Sequence, residues 1–219
     1  AAIAAAAIDG SDTVSLGIAL TTTPLDEIGI NTTGVTNLVS VTEAGSIETA
    51  GDAAFAIFID GDNNITTVSG SITTTGDEAA SILQNGDDNT TTISGTISAT
   101  GTDAHALLSY SGSGGSFTLD EGAVIIGDIT ALAAATNNKL KFNLGEDVSY
   151  AFTVGGGGRC TGAGQWTFTD QDGRTPIATT SGTNCASTGV TVCNLVTAVS
   201  SGNATEHNEL QFAMNSSMI

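Results

Sequence analysis

An internal repeat constrains the fold more than any other feature of the chain. The 25 residues from Gly45, GSIETAGDAAFAIFIDGDNNITTVS, and those from Gly70, GSITTTGDEAASILQNGDDNTTTIS, are identical at 14 of 25 positions without a gap. A third copy begins at Gly95 and is two residues longer around residues 112–115, and a fainter copy begins at Gly122. Self-similarity at this period is typical of solenoids, in which each copy packs on the next.

Each copy has three apolar positions separated by Gly-Asp and Gly-Asp-Asn turns, which predicts three short strands joined by corners. Because stacked strands lie about 4.8 Å apart, equivalent apolar residues should form interior columns while Thr, Ser and Asp face water. Gly51, Gly76 and Gly101 recur in register, as corners with positive φ require. The predicted columns are Ile47, Ile72 and Ile97; Ile57, Ile82 and Leu107; and Val68 and Ile93.

The remaining regions differ from the repeats of residues 36–145. The less regular sequence of residues 1–35 predicts an irregular first coil or the continuation of an upstream solenoid. In residues 146–202, alternating apolar residues and the Asp172-Gly173 hairpin signal between QWTFTD and RTPIATT predict a hairpin cap over the last coil. Residues 203–219 carry a capping-box pattern and an apolar i, i+4, i+8 face, which predict a short terminal helix.

The hairpin cap predicts a buried tryptophan. Trp166, the only tryptophan, alternates with Phe168 on one strand. In a cap, Trp166 packs against the last coil. The alternative is an aromatic sugar-binding platform, in which Trp166 is exposed.

The charge of the chain excludes two classes of partner. Only 4 Lys and Arg oppose 23 Asp and Glu, for a net charge of −19, and no cation precedes Lys139. A field of this sign repels nucleic acid and an anionic membrane surface. The sequence therefore predicts neither as a partner.

Three cysteines lie close together near the end of the chain. Cys160, Cys185 and Cys193 predict one disulfide in an oxidising compartment and one remaining thiol. The short turn between Cys185 and Cys193 favours that pair, with Cys160–Cys185 as the competitor. A structural zinc site normally needs four ligands, and the nearest histidine is His207, so metal binding is the weaker interpretation.

Nucleophilic catalysis has one set of candidate residues. His105 stands where the earlier copies have Phe55 and Ala80, and a surface triad would join it to Asp103 and Ser109. The simpler interpretation is a solvent-facing strand residue in a variable repeat position. The chain has no G-x-S-x-G elbow, so the sequence predicts no catalytic residue.

Carboxylates recur at one corner of the repeat. Asp60 and Asp62 have Asn85, Asp87 and Asp88 as counterparts, and stacked oxygen ligands are those that Ca²⁺ prefers. Polysaccharide lyases and hydrolases on β-helices usually need an Arg or Lys to bind the substrate carboxylate, and the three clear copies, residues 45–121, contain neither. We therefore expect hydrated corners that keep the solenoid soluble and no cofactor, with Ca²⁺ as the weaker alternative.

Threonine runs raise a third alternative, an ice-binding array that orders water. Residues 73–75 and 90–92 are both Thr-Thr-Thr. However, Glu48 should stack beside Thr73 and Ser98, so that column is not uniform.

The repeat units resemble a known family. Tandem units of the form SGSITTTGDEAASILQNGDDNTTTISGTI are similar to the passenger region of bacterial type V autotransporters, over about residues 36–145 by repeat pattern and 150–219 by arrangement. The resemblance implies an all-β fold, a right-handed parallel β-helix exported through an outer-membrane barrel to the cell surface. It also implies an autochaperone-like hairpin segment and a helix leading into the barrel. That barrel would be the chain's own partner, and the 219 residues would correspond to an excised passenger.

These observations lead to one functional expectation. We expect a secreted, non-enzymatic structural or adhesin-type β-helix, a passenger stalk that contacts other cell surfaces, glycans or copies of itself. The alternative is the C-terminal part of an enzyme-bearing passenger, with a hydrolase or protease module upstream. The repeat specifies the architecture and not the ligand.

Overall fold

The fold is seen in a computed structural model, which describes residues 8–9, 12–22, 28–132, 134–143, 149–156, 166–170, 177–180 and 195–199, with side chains for 12–22, 28–132 and 134–143. None of these residues is helical. The strands are β1 (Ile8–Asp9), β2 (Thr13–Leu16), β3 (Ala19–Thr22), β4 (Ile28–Thr33), β5 (Leu38–Val41), β6 (Ser46–Thr49), β7 (Phe55–Asp60), β8 (Ile65–Val68), β9 (Ser71–Thr74), β10 (Ala80–Asn85), β11 (Thr90–Ile93), β12 (Thr96–Ala99), β13 (His105–Ser113), β14 (Ser116–Asp120), β15 (Val124–Ile126), β16 (Asp128–Ala131), β17 (Ala135–Thr136), β18 (Asn138–Asn143), β19 (Ser149–Gly156), β20 (Trp166–Asp170), β21 (Ile177–Thr180) and β22 (Leu195–Val199).

The strands form three sheets, which confirms the predicted parallel β-helix. From β1 to β16, successive strands belong to sheet A, then B, then C, and the next strand returns to A one coil further on. Sheet A runs β1-β4-β7-β10-β13-β16-β19-β22-β21, with β17 beside β13; sheet B runs β2-β5-β8-β11-β14-β18-β20; and sheet C runs β3-β6-β9-β12-β15. Sheet C has five strands, so the described chain makes about five turns.

The predicted interior columns are confirmed. In sheet C, Ile72 pairs with Ile47 on one side and Ile97 on the other, and all three are fully buried. In sheet A, Ile82 pairs in the same way with Ile57 and Leu107. Equivalent residues therefore lie over one another and close a continuous apolar core.

The first coil begins earlier than the regular repeat. Strands β1, β2 and β3 pair in parallel with β4, β5 and β6, so residues before Asn31 already follow the three-sheet pattern. Leu20 lies opposite Ile47 and extends its column. The weak repeat signal there reflects different residues on the same backbone path.

The extra length of the third copy is distributed differently from the expectation. One residue is inserted at a bulge, because Gln84 lies opposite Ser109 while Asn85 lies opposite Ser111. The extra residue, Tyr110, is consequently turned outward and is 50% exposed. A bulge re-aims a side chain in this way without breaking the sheet.

The recurring corner glycines are needed for a different reason from the one predicted. Gly51, Gly76 and Gly101 do not have positive φ. A Cβ on Gly76 would lie 1.9 Å from the carbonyl oxygen of Gly51, and a Cβ on Gly101 would lie 1.9 Å from that of Gly76. Close approach of stacked backbones therefore demands glycine. The residues with positive φ at these corners lie two positions later and are Ala53, Glu78 and Asp103.

An asparagine ladder links successive coils at the corner before sheet B. The Asn64 Oδ1 atom accepts hydrogen bonds from the backbone N and the Nδ2 of Asn37, at 2.9 and 3.0 Å. Asn89 Oδ1 accepts the same pair from Asn64, at 2.9 and 3.1 Å. All three residues are buried, so the ladder satisfies polar groups that water cannot reach.

Buried threonine hydroxyls also recur at one position of the repeat. Thr74 has a hydrogen-bond partner there, whereas Thr49 in the preceding coil has none. Thr74 Oγ1 lies 2.9 Å from Ser81 Oγ, and Ser81 donates to the carbonyl of Ser98. In the preceding coil, Thr49 stands at the position of Thr74 and Ala56 at that of Ser81. The buried Thr49 hydroxyl has no hydrogen-bond partner.

We expect Ala56→Ser to stabilise the protein by about 1 kcal/mol, because the new hydroxyl bonds Thr49 as Ser81 bonds Thr74. Urea unfolding followed by circular dichroism measures the change. Ala106→Ser is the matched control, since the residue at the threonine position of its coil is Ala99 and offers no hydroxyl. An equal gain in both variants would contradict the explanation.

The C-terminal strands extend the solenoid and only partly match the hairpin prediction. Strand β19 pairs in parallel with β16, and β20 pairs in parallel with β18. Strands β20 and β21 lie in different sheets, so the predicted hairpin at Asp172-Gly173 is wrong. Antiparallel pairing occurs instead between β19 and β22 and between β22 and β21. Strand β20 adds in parallel to the open edge of β18. This long-range pairing outweighs the local preference of Asp172-Gly173 for a hairpin turn.

Several predictions lie outside the described residues. These are the terminal helix of residues 203–219, the Cys185–Cys193 disulfide, the remaining thiol of Cys160, and the surroundings of the Trp166 side chain.

Candidate functional site

The outer face of sheet A carries a second apolar cluster. Leu83 lies opposite Phe58 and Leu108, and the three point away from the core formed by their neighbours. Leu83 is 2% exposed, whereas Ile65, on the outer face of sheet B, is 51% exposed. His105 stands at the border of this cluster, opposite Ala80.

The structure does not assemble the triad considered for His105. Ser109 points into the interior, where its Oγ donates to Asn138 Oδ1 at 3.0 Å. The ring of His105 instead forms a hydrogen bond with Thr130, in which Nδ1 lies 3.0 Å from Oγ1. His105 is also half-buried and not solvent-facing. Both earlier interpretations of this residue therefore need correction.

Asp128 is the residue that the sequence analysis missed. It lies directly opposite His105 on the neighbouring strand β16. The irregular length of the chain between the two strands hid this pairing, because the repeat register shifts before β16. The arrangement joins an imidazole, a carboxylate and a buried hydroxyl, Thr130, on one face.

Burial changes the proton affinity of both ionisable groups. Desolvation lowers the pKa of His105, and the nearby Asp128 carboxylate partly opposes that shift. Desolvation raises the pKa of Asp128, and His105 partly opposes it. In both residues the neutral form is favoured, which is the expected effect of an apolar surrounding.

We expect the two residues to affect the pH dependence of stability in opposite senses. The lowered pKa of His105 gives stability that is present above about pH 6.5 and is lost as the pH falls through the folded-state pKa. The raised pKa of Asp128 gives stability that is present below its ordinary value and is lost as the pH rises through the folded-state pKa. His105→Gln should therefore reduce the loss of stability between about pH 7 and pH 5.5.

Urea midpoints measured across this pH range test the prediction. Thr130→Val is the control, because it removes the bond to Nδ1 while the imidazole remains, so stability should fall but its pH dependence should persist. Identical pH profiles for the wild type and His105→Gln would contradict the assignment.

The corner carboxylates connect coils. Asp62 Oδ1 accepts the backbone N–H of Asp87 at 2.8 Å, and Asp87 Oδ1 accepts that of Ser113 at 2.8 Å. Asn85 Nδ2 donates to Asp60 Oδ1 at 2.8 Å. Across the described side chains, no group of three His, Cys, Asp or Glu residues is arranged to hold a metal ion. The Ca²⁺ alternative therefore gains no geometric support from these residues.

The outer face of sheet B carries two rows of mostly hydroxyl side chains, which we call the hydroxyl face. It comprises the first two outward positions of β2, β5, β8, β11, β14 and β18, which alternate with core-facing residues. Ser116 among them is 5% exposed, and a third outward position holds Asp120 in β14 and Asn143 in β18. The first row is Thr13, Leu38, Ile65, Thr90, Ser116 and Lys139, and the second row is Ser15, Ser40, Thr67, Thr92, Thr118 and Lys141.

Sheet C differs from the hydroxyl face. Its outer row places Glu48 opposite Thr73, and Thr73 opposite Ser98, as the sequence predicted. Thr90 and Thr92 belong to sheet B, so the two threonine runs do not form one surface. The ice-binding array considered from the sequence is thus divided between two faces.

The fold and its surfaces define the chain as a β-solenoid protein with an apolar cluster on the outer face of sheet A and mostly hydroxyl side chains on that of sheet B. Comparisons with protein-family models, with curated proteins and with solved structures gave no significant match. Among the described residues, no helix is long and apolar enough to cross a membrane.

Proposed function

We propose that the chain belongs to a secreted, cell-surface β-solenoid of the autotransporter passenger type, which displays contact surfaces and performs no catalysis of its own. The observation that supports the proposal is the stacking of equivalent residues in register over three sheets. Such stacking makes a stiff rod whose outer faces repeat along its axis. A rod of this kind suits the display and spacing of weak contacts.

The acidic character of the surface supports the same proposal. Carboxylates at the corners accept backbone N–H groups of the next coil, as Asp52 does from Asp77 and Asp77 from Thr102, at 3.0 and 2.7 Å. These residues therefore stabilise the coils and also keep the surface charged, which favours solubility outside a cell.

Display on a bacterial host tests the proposal. Cells carrying the chain on an outer-membrane anchor should adhere to other cells or to immobilised glycans several-fold more than cells carrying the anchor alone. Protease treatment of intact cells verifies exposure. Absence of adhesion to every surface tried, or hydrolysis of ester, peptide or polysaccharide substrates by the purified chain, would contradict the proposal.

A further inference from the structure

The asparagine ladder stops at the coil that contains β14. In the preceding coil, the backbone N–H of Asn64 donates to Asn89 Oδ1. Thr90 pairs with Ser116, so Gly115 takes the ladder position opposite Asn89. Gly115 has no side chain and offers no amide oxygen to Asn89, which is fully buried. A buried N–H at this point needs an acceptor from another source.

Two unpaired polar atoms lie beside Gly115. Gln84 Oε1 and Asn138 Nδ2 have no hydrogen-bond partner among the described residues, and each residue is 1% exposed. A Cβ on Gly115 would lie 3.1 Å from Gln84 Oε1 and 3.0 Å from Asn138 Oδ1, so both amides converge on this glycine. One unpaired atom is an acceptor and the other is a donor, and leaving either without a partner in the core is unfavourable.

The other atom of each amide is already bonded to a hydroxyl. Gln84 Nε2 donates to Thr91 Oγ1 at 2.8 Å, and Asn138 Oδ1 accepts from Ser109 Oγ at 3.0 Å. Because a hydroxyl both donates and accepts, turning an amide over changes which of its atoms is unpaired and supplies no partner for it. A ligand that both donates and accepts satisfies both amides.

The side chains around Gly115 favour a small and neutral ligand. Ser109 lies opposite Gln84 and is shorter, and Gly115 lacks the side chain of its equivalent in the ladder. Phe117, opposite Thr91, is larger and takes back part of that space. None of these residues is charged, so an ion bound among them would be buried without a counter-charge, which is costly. Water is the ligand that meets all these conditions.

We propose that the core of this protein binds one water molecule between Gln84 and Asn138, in the place that an asparagine side chain takes in the earlier coils. The water donates to Gln84 Oε1, accepts from Asn138 Nδ2, and turns its second lone pair to the N–H of Asn89. Buried waters typically make about three hydrogen bonds to polar groups of this kind. The water continues the hydrogen bonding between coils past the longer third copy. The site lies in the core and does not depend on what the outer faces contact.

A crystal structure of the chain at about 1.5 Å resolution tests the site directly. We expect an ordered water within about 3.2 Å of both Gln84 Oε1 and Asn138 Nδ2. A direct hydrogen bond between the two side chains would overturn the proposal. A metal ion in their place, recognised by oxygen contacts of about 2.4 Å, would also overturn it.

Magnetic relaxation dispersion of water oxygen-17 tests the site in solution, because it counts long-lived internal waters. Gly115→Ala places a Cβ against both amides and should lower the count by one. Gly17→Ala is the matched control, since its Cβ makes an ordinary contact of 3.4 Å with Thr42 Oγ1, and should leave the count unchanged. Equal counts for Gly115→Ala and the wild type would overturn the proposal. If Gly115→Ala does not fold, Gln84→Met, which keeps the side-chain length and removes Oε1, should lose the same water.

Discussion

Replacing Ile72 with Asp should lower the free energy of unfolding by on the order of 5 kcal/mol, the largest effect expected of any substitution considered. Ile72 is fully buried and lies between Ile47 and Ile97 in the middle of its column. A carboxylate there has no cation within the core and no access to water. The coils above and below lose their contact with the same side chain.

Urea unfolding followed by circular dichroism measures this loss. Ser71→Asp is the matched control, because Ser71 precedes Ile72 in the same strand and points outward. If Ile72→Asp does not fold, Ile72→Ala gives a graded measurement, with an expected loss of about 2–5 kcal/mol. Similar stability of the Ile72→Asp and Ser71→Asp variants would show that the column is not the core.

Replacing Gly76 with Ala should also destabilise the protein by several kcal/mol. The new Cβ would lie 1.9 Å from the carbonyl oxygen and 2.4 Å from the carbonyl carbon of Gly51. Both atoms belong to the backbone of the adjacent coil, so no side-chain movement relieves the clash. The coils must separate locally, which also lengthens the hydrogen bond from Asp77 N to Asp52 Oδ1.

Gly17→Ala is the control for the loss of chain flexibility that any Gly→Ala change brings. A Cβ on Gly17 meets only Thr42 Oγ1, at an ordinary contact distance of 3.4 Å. Its melting temperature should stay within a few degrees of the wild type, whereas that of Gly76→Ala should fall by much more. Equal melting temperatures for the two variants would contradict the close-approach explanation.

The sequence was sufficient to predict the core. Ile47, Ile72 and Ile97 recur at a constant interval, and a stack of coils converts that interval into spatial contact. The physical reason is that a single coil cannot bury its own apolar residues. Stacking the coils in register buries them all, because each apolar residue then packs on its equivalent in the next coil. The parallel sheets follow from the same stacking.

The sequence was not sufficient where the interval changes. The bulge at Tyr110 shifts the register of β13, and further residues precede β16, so neither repeat spacing nor motif placed Asp128 beside His105. The signal that could have found this pair is the core residue Ile129, because aligning it with Leu107 places Asp128 beside His105. Local turn chemistry likewise misassigned Asp172-Gly173, because pairing of β20 with β18 is a long-range contact.

The sequence by itself determined the repeat, the interior columns and the acidic charge of this protein. Only the tertiary structure decided that the corner glycines serve close backbone approach and that the threonine runs lie on separate faces. It alone also placed the serine and threonine residues of sheet B in two rows on one outer face. The reason is that a solenoid brings together residues about 25 positions apart. Their hydrogen bonds and charges therefore depend on the exact register of neighbouring coils, which an insertion of one residue changes.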